Sequence, residues 1–391
     1  MTPTRVLIVG VSTRAAAESA ALAGFDVTAL DAYADLDQHP SVRALSLPRD
    51  FKAHPTATAG ARAARTIESD AVAYLSSFEN HPRAVTRLAA RRRLWGNPAE
   101  VLRRVRDPSV LSDTLRRRGF DVPRVRLAPA GDAGDAEAWM VKPFRSGGGQ
   151  HVRQWKGRSV PRAAYLQEFI DGIPGSVVFA AARGHAVPLG VSRQLVGDPA
   201  FGASGYRYCG SLIAAVDDPQ FPGGQALVDR ACALARLVGE EFGLVGVNGI
   251  DFIARDSTPY PVEVNPRWSA SMELVEQRFG LSVFGAHAAA CARDALPSFD
   301  LAAASRGAGA IGKAIVFARH ASVIGDTGAW LGDTTVRDVP RSGERIDAGE
   351  PVCTVFATAP DARRCYQALV QRSESLYEEL AEWTADRQVT A

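Results

Sequence analysis

The sequence predicts a mixed α/β protein of several domains, in which α+β lobes follow an N-terminal α/β unit. Its 391 residues exceed what one ordinary hydrophobic core holds. The stretch RVLIVGVSTRAAAESAALAGFDVTALDAY has the pattern of a strand, a glycine turn, an alanine-rich helix and a second strand ending at Asp31. Beyond residue 120 short alternating strands and glycine-rich turns prevail, which favours antiparallel lobes after the first domain.

The first domain is predicted to be Rossmann-like but without a dinucleotide site, because only Gly10 follows the first strand where GxGxxG would be needed. A later strand, DAVAYLS, leads into SFENHP. Glu79 and Asn80 therefore lie at the carboxyl end of a strand, where open α/β sheets bind ligands. They equally suit caps for a helix beginning near Pro82, and both interpretations stay open.

The rest of the chain divides into recognisable segments. Residues 84–119 are helical in pattern, with breaks at WGNP and RDPS, and residues 224–242 form an amphipathic helix. The last ninety or so residues are rich in strands and turns and finish in a helix. We expect four parts: an N-terminal domain over 1–100, a small lobe over 101–170, a large lobe over 171–300 and a β-rich C-terminal region over 301–391.

Composition excludes several classes of protein. The formal net charge is only +2, and the arginine-dense segments have helical patterns without interleaved aromatic residues, so no nucleic-acid partner is expected. Five cysteines without CxxC spacing suit reduced thiols. The N-terminus enters a strand at once, so we expect no signal peptide or membrane span and a cytoplasmic location. Base rates favour a homodimer.

A glycine-rich tip follows a lysine in VKPFRSGGGQHV. Lys142 lies within a strand, and Ser146 is followed by Gly147, Gly148 and Gly149. Consecutive glycines weaken a strand, and they suit a backbone that must lie against a ligand and donate N–H groups to it. Phosphate is the usual ligand of such a loop, with a nearby lysine as a point charge. A glycine run alone is more often a plain turn.

A hairpin follows in DFIARDSTPYPVEVNPR. With the turn centred near Ser257, Asp251 lies opposite Glu263, and Asn265 shares a face with Glu263. Opposed carboxylates repel each other unless a positive charge separates them. Two carboxylates and an amide oxygen are hard ligands suited to Mg²⁺ and unsuited to Zn²⁺. The alternative is the solvated face of an edge hairpin.

A metal-free hairpin of this kind is expected to carry uncompensated repulsion. Removing the charge of Glu263 should then leave the stability of the ligand-free protein unchanged or slightly raised.

The motifs VKPFRSGGGQ, YLQEFIDG and GIDF…PVEVNPR, in this order, resemble the ATP-grasp superfamily over about residues 1–290. The resemblance implies an ATP-grasp fold with an N-terminal pre-ATP-grasp domain and a β-rich C-terminal extension, ATP as the nucleotide and Mg²⁺ (or Mn²⁺) as the metal. It further implies the following roles: metal ligands Asp251, Glu263 and Asn265; ATP contacts Lys142, Ser146, Gly147, Gly148, Gly149 and the hinge residues Gln167, Glu168, Phe169 and Ile170; catalytic residues Lys142 and Arg267.

Within that superfamily the chain looks most like the carboligase-type branch related to biotin carboxylase, members of which occur with enzymes of methanopterin- or methanofuran-type C1 cofactors. Two departures stand out. A second lysine, usual near the helix before G…VP, is absent from RDPSVLSDTLRRRGFDVP, where Arg106 or an arginine of LRRR would have to replace it. No biotin-accepting lysine motif follows GKAIVFA.

The resemblance implies an ATP-dependent carboxylate–amine ligase that works through an acyl phosphate, with small-molecule substrates and an amino acid such as glutamate as the amine. Two alternatives stay open: a bicarbonate-dependent carboxylase, and a non-catalytic nucleotide-binding regulatory module. Arg14, Glu79, Arg193 and Arg207 are candidate substrate contacts, since they fall near strand ends or in the glycine-rich segment before Tyr208, although each is individually more often an ordinary surface residue.

Overall fold

The N-terminal domain is built on a five-stranded parallel sheet in the order β3-β2-β1-β4-β5. The computed structural model describes residues 2–127, 138–157 and 159–389. The strands of this sheet are β1 (Arg5–Val9), β2 (Asp26–Asp31), β3 (Arg43–Ser46), β4 (Ala71–Tyr74) and β5 (Arg93–Trp95). The helices of this domain are α1 (Arg14–Leu22), α2 (Leu47–Phe51), α3 (Ala57–Ala63) and α4 (Pro82–Ala89).

The predicted βαβ unit is confirmed. Four of the five side chains of β1 are fully buried, as expected for a strand between two parallel neighbours. Helix α1 packs its alanines against this sheet and ends before Gly24, whose φ of +85° only glycine adopts without strain. The carboxyl ends of β1, β2 and β4 consequently meet at one edge of the sheet.

Residues 84–119 are less helical than their pattern predicts. Helices α4, α5 (Ala99–Val105) and α6 (Pro108–Arg117) form, but β5 lies between α4 and α5 and pairs in parallel with β4. Asp107 caps α6 by accepting from the amides of Ser109 and Val110. Arg106 therefore lies at the junction of two helices.

A four-stranded antiparallel sheet forms the small lobe, in the order β6-β9-β7-β8. Its strands are β6 (Val125–Leu127), β7 (Trp139–Pro143), β8 (Arg153–Gln154) and β9 (Ala164–Glu168). Trp139, Val141 and Leu166 form its small core. The glycine-rich tip joins β7 to β8, as predicted.

An eight-stranded antiparallel sheet carries the large lobe, in the order β14-β13-β10-β11-β12-β15-β19-β17. Its strands are β10 (Ile173–Ala182), β11 (His185–Val196), β12 (Tyr208–Ala214), β13 (Gly246–Arg255), β14 (Thr258–Asn265), β15 (Ala310–Phe317), β17 (Val336–Arg337) and β19 (Pro351–Ala359). Helix α7 (Gly224–Phe242) covers one face with its buried leucines and alanines. The opposite face packs on α8 (Met272–Phe279) and α9 (Val283–Arg293), which also contact α1.

The C-terminal residues continue the same sheet. Strand β15 pairs with β12, and β19 pairs with both β15 and β17. The remaining elements are α10 (Leu301–Ala304), α11 (Gly328–Gly332), the two-stranded pair β16 (Ser322–Val323) and β18 (Arg345–Ile346), and the long helix α12 (Ala362–Val389). Helix α12 packs on β15 and β19, so one hydrophobic core spans the end of the chain.

None of the helices in the described ranges is long and apolar enough to cross a bilayer. All five cysteines are free thiols, as their spacing predicts.

Candidate active site

The hairpin of β13 and β14 has the predicted register, with Asp251 opposite Glu263. A register shift follows Asp251, so a β-bulge lies directly beside the carboxylate pair. The Nδ2 atom of Asn265 donates to Oδ2 of Asp251 at 2.8 Å. All three side chains therefore meet on one face of the sheet.

This face is not the solvated surface of an edge strand. Strand β14 is an edge of the sheet, but only 23% of the Glu263 side chain is exposed, because the small lobe covers it. Burial, and then the nearby charge of Glu263, raise the pKa of Asp251 to about 6. Two carboxylates brought together out of water are a costly arrangement that needs a positive charge.

Arg106 supplies that charge, which corrects the expectation of uncompensated repulsion. Its Nη1 atom donates to the Glu263 carboxylate and, at 3.0 Å, to the Val264 carbonyl. Burial opposes ionisation of Glu263, yet the fields of Arg106 and Lys142 keep its pKa below the ordinary value. Glu263 is therefore a carboxylate with a partner in the ligand-free protein.

The donor set fits a divalent cation of the magnesium type. It comprises two carboxylates and an amide, all oxygen ligands, and within the described ranges no three His, Cys, Asp or Glu side chains form a softer or more acidic cluster. The Asn265 oxygen accepts from Arg267 at 3.1 Å while its nitrogen meets Asp251. Exchange of the amide oxygen and nitrogen would turn the oxygen toward the carboxylates.

Lys142 of the small lobe reaches the strand that carries Glu263. Its Nζ atom donates to Oε1 of Gln167 at 3.0 Å and to the Val262 carbonyl at 3.1 Å. A cleft runs between the small lobe and β14 and is lined by Arg106, Lys142, Ser146, Gln167 and Glu263 together with apolar side chains. Positive and negative groups from both lobes thus line a single cleft with an apolar wall.

The glycine loop, residues 146–149, contributes Ser146 to this cleft and is fixed by its backbone. The Gly148 carbonyl accepts from the Tyr208 amide at 3.0 Å. Gly149 has a φ of +74°, and a Cβ atom there would come within 1.7 Å of the Tyr206 carbonyl oxygen. Gly147 has open space around it. Only the last of these glycines is therefore required by packing in this state.

Comparison with known proteins identifies the fold that carries this cleft. Residues 106–271 match the model of the ATP-grasp domain. The chain has the ATP-grasp fold. The matched range begins at Arg106 and contains the glycine loop, the predicted hinge and the hairpin of β13 and β14.

Two solved structures resemble nearly the whole chain. One is the biotin carboxylase domain of the Hydrogenobacter thermophilus 2-oxoglutarate carboxylase in complex with MgADP, ADP and bicarbonate, with a TM-score of 0.70, 12% identity and coverage of 96% of this chain and 89% of that chain. Another is the L-amino acid ligase of Bacillus licheniformis, with a TM-score of 0.65, 16% identity and coverage of 98% of both chains. At these identities the likeness shows the fold alone.

A curated relative matches a smaller part. An uncharacterized protein of Methanocaldococcus jannaschii is 27% identical over 144 residues, which span 37% of this chain and 32% of that protein. The match thus covers about a third of the relative's length.

The predicted hinge, residues 167–170, begins with the last two residues of β9. The Glu168 and Phe169 amides are bonded to the carbonyls of Arg124 and Ala138. In the described part of the chain the Ile170 amide has no partner, so it is the hinge N–H that an adenine nitrogen could accept from. Gln167 is buried and faces Lys142, whereas the Glu168 carboxylate turns to Arg124 on the outer side.

Arg267 of the ATP-grasp domain is held by a residue of the N-terminal domain. Its Nε and Nη2 atoms contact Oε1 of Glu79 at 2.8 and 2.7 Å. Glu79 is 1% exposed, and its Oε2 atom has no partner among the described residues. Helix α4 begins after His81 with no side-chain cap, so Glu79 acts on Arg267 and is not a helix cap.

Three predicted substrate contacts lie apart from this cleft. Arg14 is 1% exposed and is bound by Glu18, Glu273 and Asp338, so its guanidinium is committed to an ion network. Arg207 donates to the Gly349 carbonyl and stacks on Phe317. Arg193 lines a separate cleft near the start of α12. Contact of these arginines with a substrate stays a prediction.

Sequence reasoning missed a row of uncharged polar residues beside the carboxylates. Ser176 on β10 pairs with Asp251 on β13, and Ser192 on β11 pairs with Ser176. Gln194 donates to Oδ1 of Asp251 at 2.9 Å. The Ser192 hydroxyl is buried without a partner among the described residues. Alternation of polar and apolar residues in SVV and VSRQLV was the available signal, but it does not say which strands are neighbours.

Proposed function

We propose that the protein is an ATP-dependent carboxylate–amine ligase that works through an acyl phosphate. The observation that carries the proposal is the meeting of Asp251, Glu263 and Asn265 on one face of the hairpin, where Glu263 lines the same cleft as Lys142 and Ser146. Opposed carboxylates facing a lysine and a loop that exposes N–H groups suit a nucleotide polyphosphate and its metal. The likeness over the full length to an L-amino acid ligase supports the same reaction class.

In this proposal the adenine lies against the hinge and accepts from the Ile170 amide, with the apolar wall of the cleft around it. Lys142 and the amides of the glycine loop hold the phosphates. Asp251, Glu263 and Asn265 would hold Mg²⁺, which supplies neutralisation of phosphate charge when it is bound.

The chemistry needs no nucleophilic side chain. A carboxylate oxygen of the acceptor attacks the γ-phosphorus of ATP, and the bond from phosphorus to the ADP oxygen breaks. The amine then attacks the acyl carbon, loses a proton and displaces inorganic phosphate, leaving an amide. Arg267, oriented by Glu79, stabilises negative charge that develops on the acyl phosphate.

We place the acceptor carboxylate over the polar row that extends from Asp251 through Ser176 and Ser192. The buried Ser192 hydroxyl has no partner among the described residues, so a substrate oxygen would satisfy it. Glutamate is the first amine to test, because the resemblance implies C1-carrier cofactor biosynthesis.

A bicarbonate-dependent carboxylase is the second candidate, favoured by the likeness to a biotin carboxylase domain whose structure holds bicarbonate. The two functions differ in what must be added for turnover. Phosphate release from Mg·ATP, measured with panels of carboxylates and amines and with bicarbonate alone, separates them. Amine-dependent release with an amide product supports the ligase, and bicarbonate dependence without an amine supports the carboxylase.

Lys142→Ala tests the nucleotide site itself. Loss of a charged phosphate contact should weaken ATP binding by about tenfold or more, while the fold stays intact because the Lys142 side chain is only partly buried and makes two hydrogen bonds. Lys156→Ala, an exposed lysine of the same lobe, is the control. ATP affinity by calorimetry that is equal in all three proteins would contradict the phosphate site.

A further inference from the structure

Arg106 is the residue at which three parts of the molecule meet. From the end of α5 its guanidinium reaches Glu263 of the metal-type hairpin, Oδ1 of Asn80 in the N-terminal domain at 2.8 Å, and the Ser146 carbonyl of the glycine loop at 3.4 Å. Asn80 also donates to that carbonyl at 3.1 Å. One side chain thus links the hairpin, the glycine loop and the first domain.

Its position is that of a counter-ion to the carboxylate pair. Only 13% of the Arg106 side chain is exposed, and a buried guanidinium is tolerated only when it is paired. The same carboxylate is required by the proposed metal. A cation at Glu263 and the Arg106 guanidinium would repel each other, so the two compete for one ligand.

Arg106 also has a hydrogen-bond donor that could serve the nucleotide. Its Nε atom is buried and has no partner among the described residues. The Ser146 contact places Nη2 beside the loop that would hold the phosphates. An Nε and Nη pair forms the fork that binds phosphate with two parallel hydrogen bonds.

We propose that Arg106 exchanges partners during the nucleotide cycle. In the ligand-free protein it neutralises Glu263 and holds the glycine loop, and when Mg·ATP is bound it releases Glu263 to the metal and binds the nucleotide phosphates. The inference rests on the proposed ATP site. It makes Arg106 both a competitor of the metal and a ligand of the nucleotide.

The two roles predict opposite changes in two affinities when Arg106 is replaced. Mn²⁺ binding without nucleotide, followed by the electron paramagnetic resonance of free Mn²⁺, should become about tenfold tighter in Arg106→Ala, because Glu263 is no longer occupied. ATP binding at saturating Mg²⁺, measured by calorimetry, should become about tenfold weaker, because a phosphate ligand is lost. Arg103→Ala, an exposed arginine of the same helix, should change neither affinity.

Arg106→Lys provides a second test in case the alanine variant fails to fold. A lysine keeps one charge but lacks the fork, so both of its affinities should fall between those of the wild type and the alanine variant. If both affinities change in the same direction, or neither changes, the proposed exchange of partners by Arg106 is wrong. The proposed ATP site is not contradicted by that result. If the wild type binds no Mg·ATP, the proposed function itself fails.

Discussion

At the scale of single residues, the charge of Glu263 is balanced before any ligand arrives. The pKa of this buried carboxyl is lower than its ordinary value, although burial alone would raise it, because Arg106 and Lys142 favour the ionised form. A folded protein that favours the charged form of a group is destabilised when that charge is removed.

We therefore expect Glu263→Gln to lower the stability of the ligand-free protein by about 1–3 kcal/mol, because Arg106 keeps its burial and loses its counter-charge. The variant should also lose most of the stabilisation that Mg·ATP gives the wild type. Melting curves with and without Mg·ATP measure both effects. Glu240→Gln, an exposed residue of α7, is the control. A ligand-free Glu263→Gln protein as stable as the wild type would contradict the compensation by Arg106.

The sequence predicted that the two carboxylates lie opposite each other, but it did not predict that Arg106 pairs with Glu263. The reason is physical. The opposition of Asp251 and Glu263 follows from a local turn, since the centre of a hairpin fixes its register. The Arg106 contact joins residues separated by 157 positions, and it depends on how one helix junction packs against a strand of another lobe. No local pattern encodes that geometry.

At the scale of elements, the same contrast holds. Helix α7 has the predicted limits, because the apolar periodicity of a long amphipathic helix indicates both its buried face and its ends. Strand β5 was missed, because three residues between two helices show no period of their own and are defined by pairing with β4. The glycine loop was predicted from its composition, but its docking on the segment before β12 was not.

That docking gives a prediction about Gly149. A methyl group there would overlap the Tyr206 carbonyl oxygen, and the φ of +74° disfavours any side chain, so Gly149→Ala should displace the loop. We expect an ATP affinity about tenfold lower and a stability loss of about 1–3 kcal/mol. Gly147→Ala, whose added methyl group meets no atom, is the matched control. Calorimetry and melting curves compare the two variants, and equal behaviour would show that the loop is free of its neighbour.

At the scale of the whole molecule, the N-terminal domain and the large lobe meet at a partly buried carboxyl. Glu276 of α8 accepts from the Ser19 hydroxyl of α1 and from the Val283 amide. Burial raises the pKa of Glu276 to about 7 from an ordinary 4.5, despite these hydrogen bonds. The folded protein therefore binds a proton between these two pH values that the unfolded chain has already released.

The free energy of unfolding should accordingly fall as the pH rises from 4.5 to 7. Glu276 contributes up to about 3 kcal/mol to this fall, which is complete above the pKa of the folded protein. Glu276→Gln mimics the protonated form, so its stability relative to the wild type should grow over this range. Urea unfolding at several pH values gives the comparison. A difference between the two proteins that does not change with pH would refute the assignment.

The continuous eight-stranded sheet has a consequence for how such a protein can be rearranged. Removing the residues after 300 would strip β15 from β12 and leave a long row of unpaired backbone groups beside exposed apolar side chains. The end of the chain is thus not an appendage that recombination could delete or swap while keeping a working nucleotide lobe. Recombination should therefore keep the residues before and after position 300 together. A segment that replaces the residues after 300 must supply a strand that pairs with β12 as β15 does.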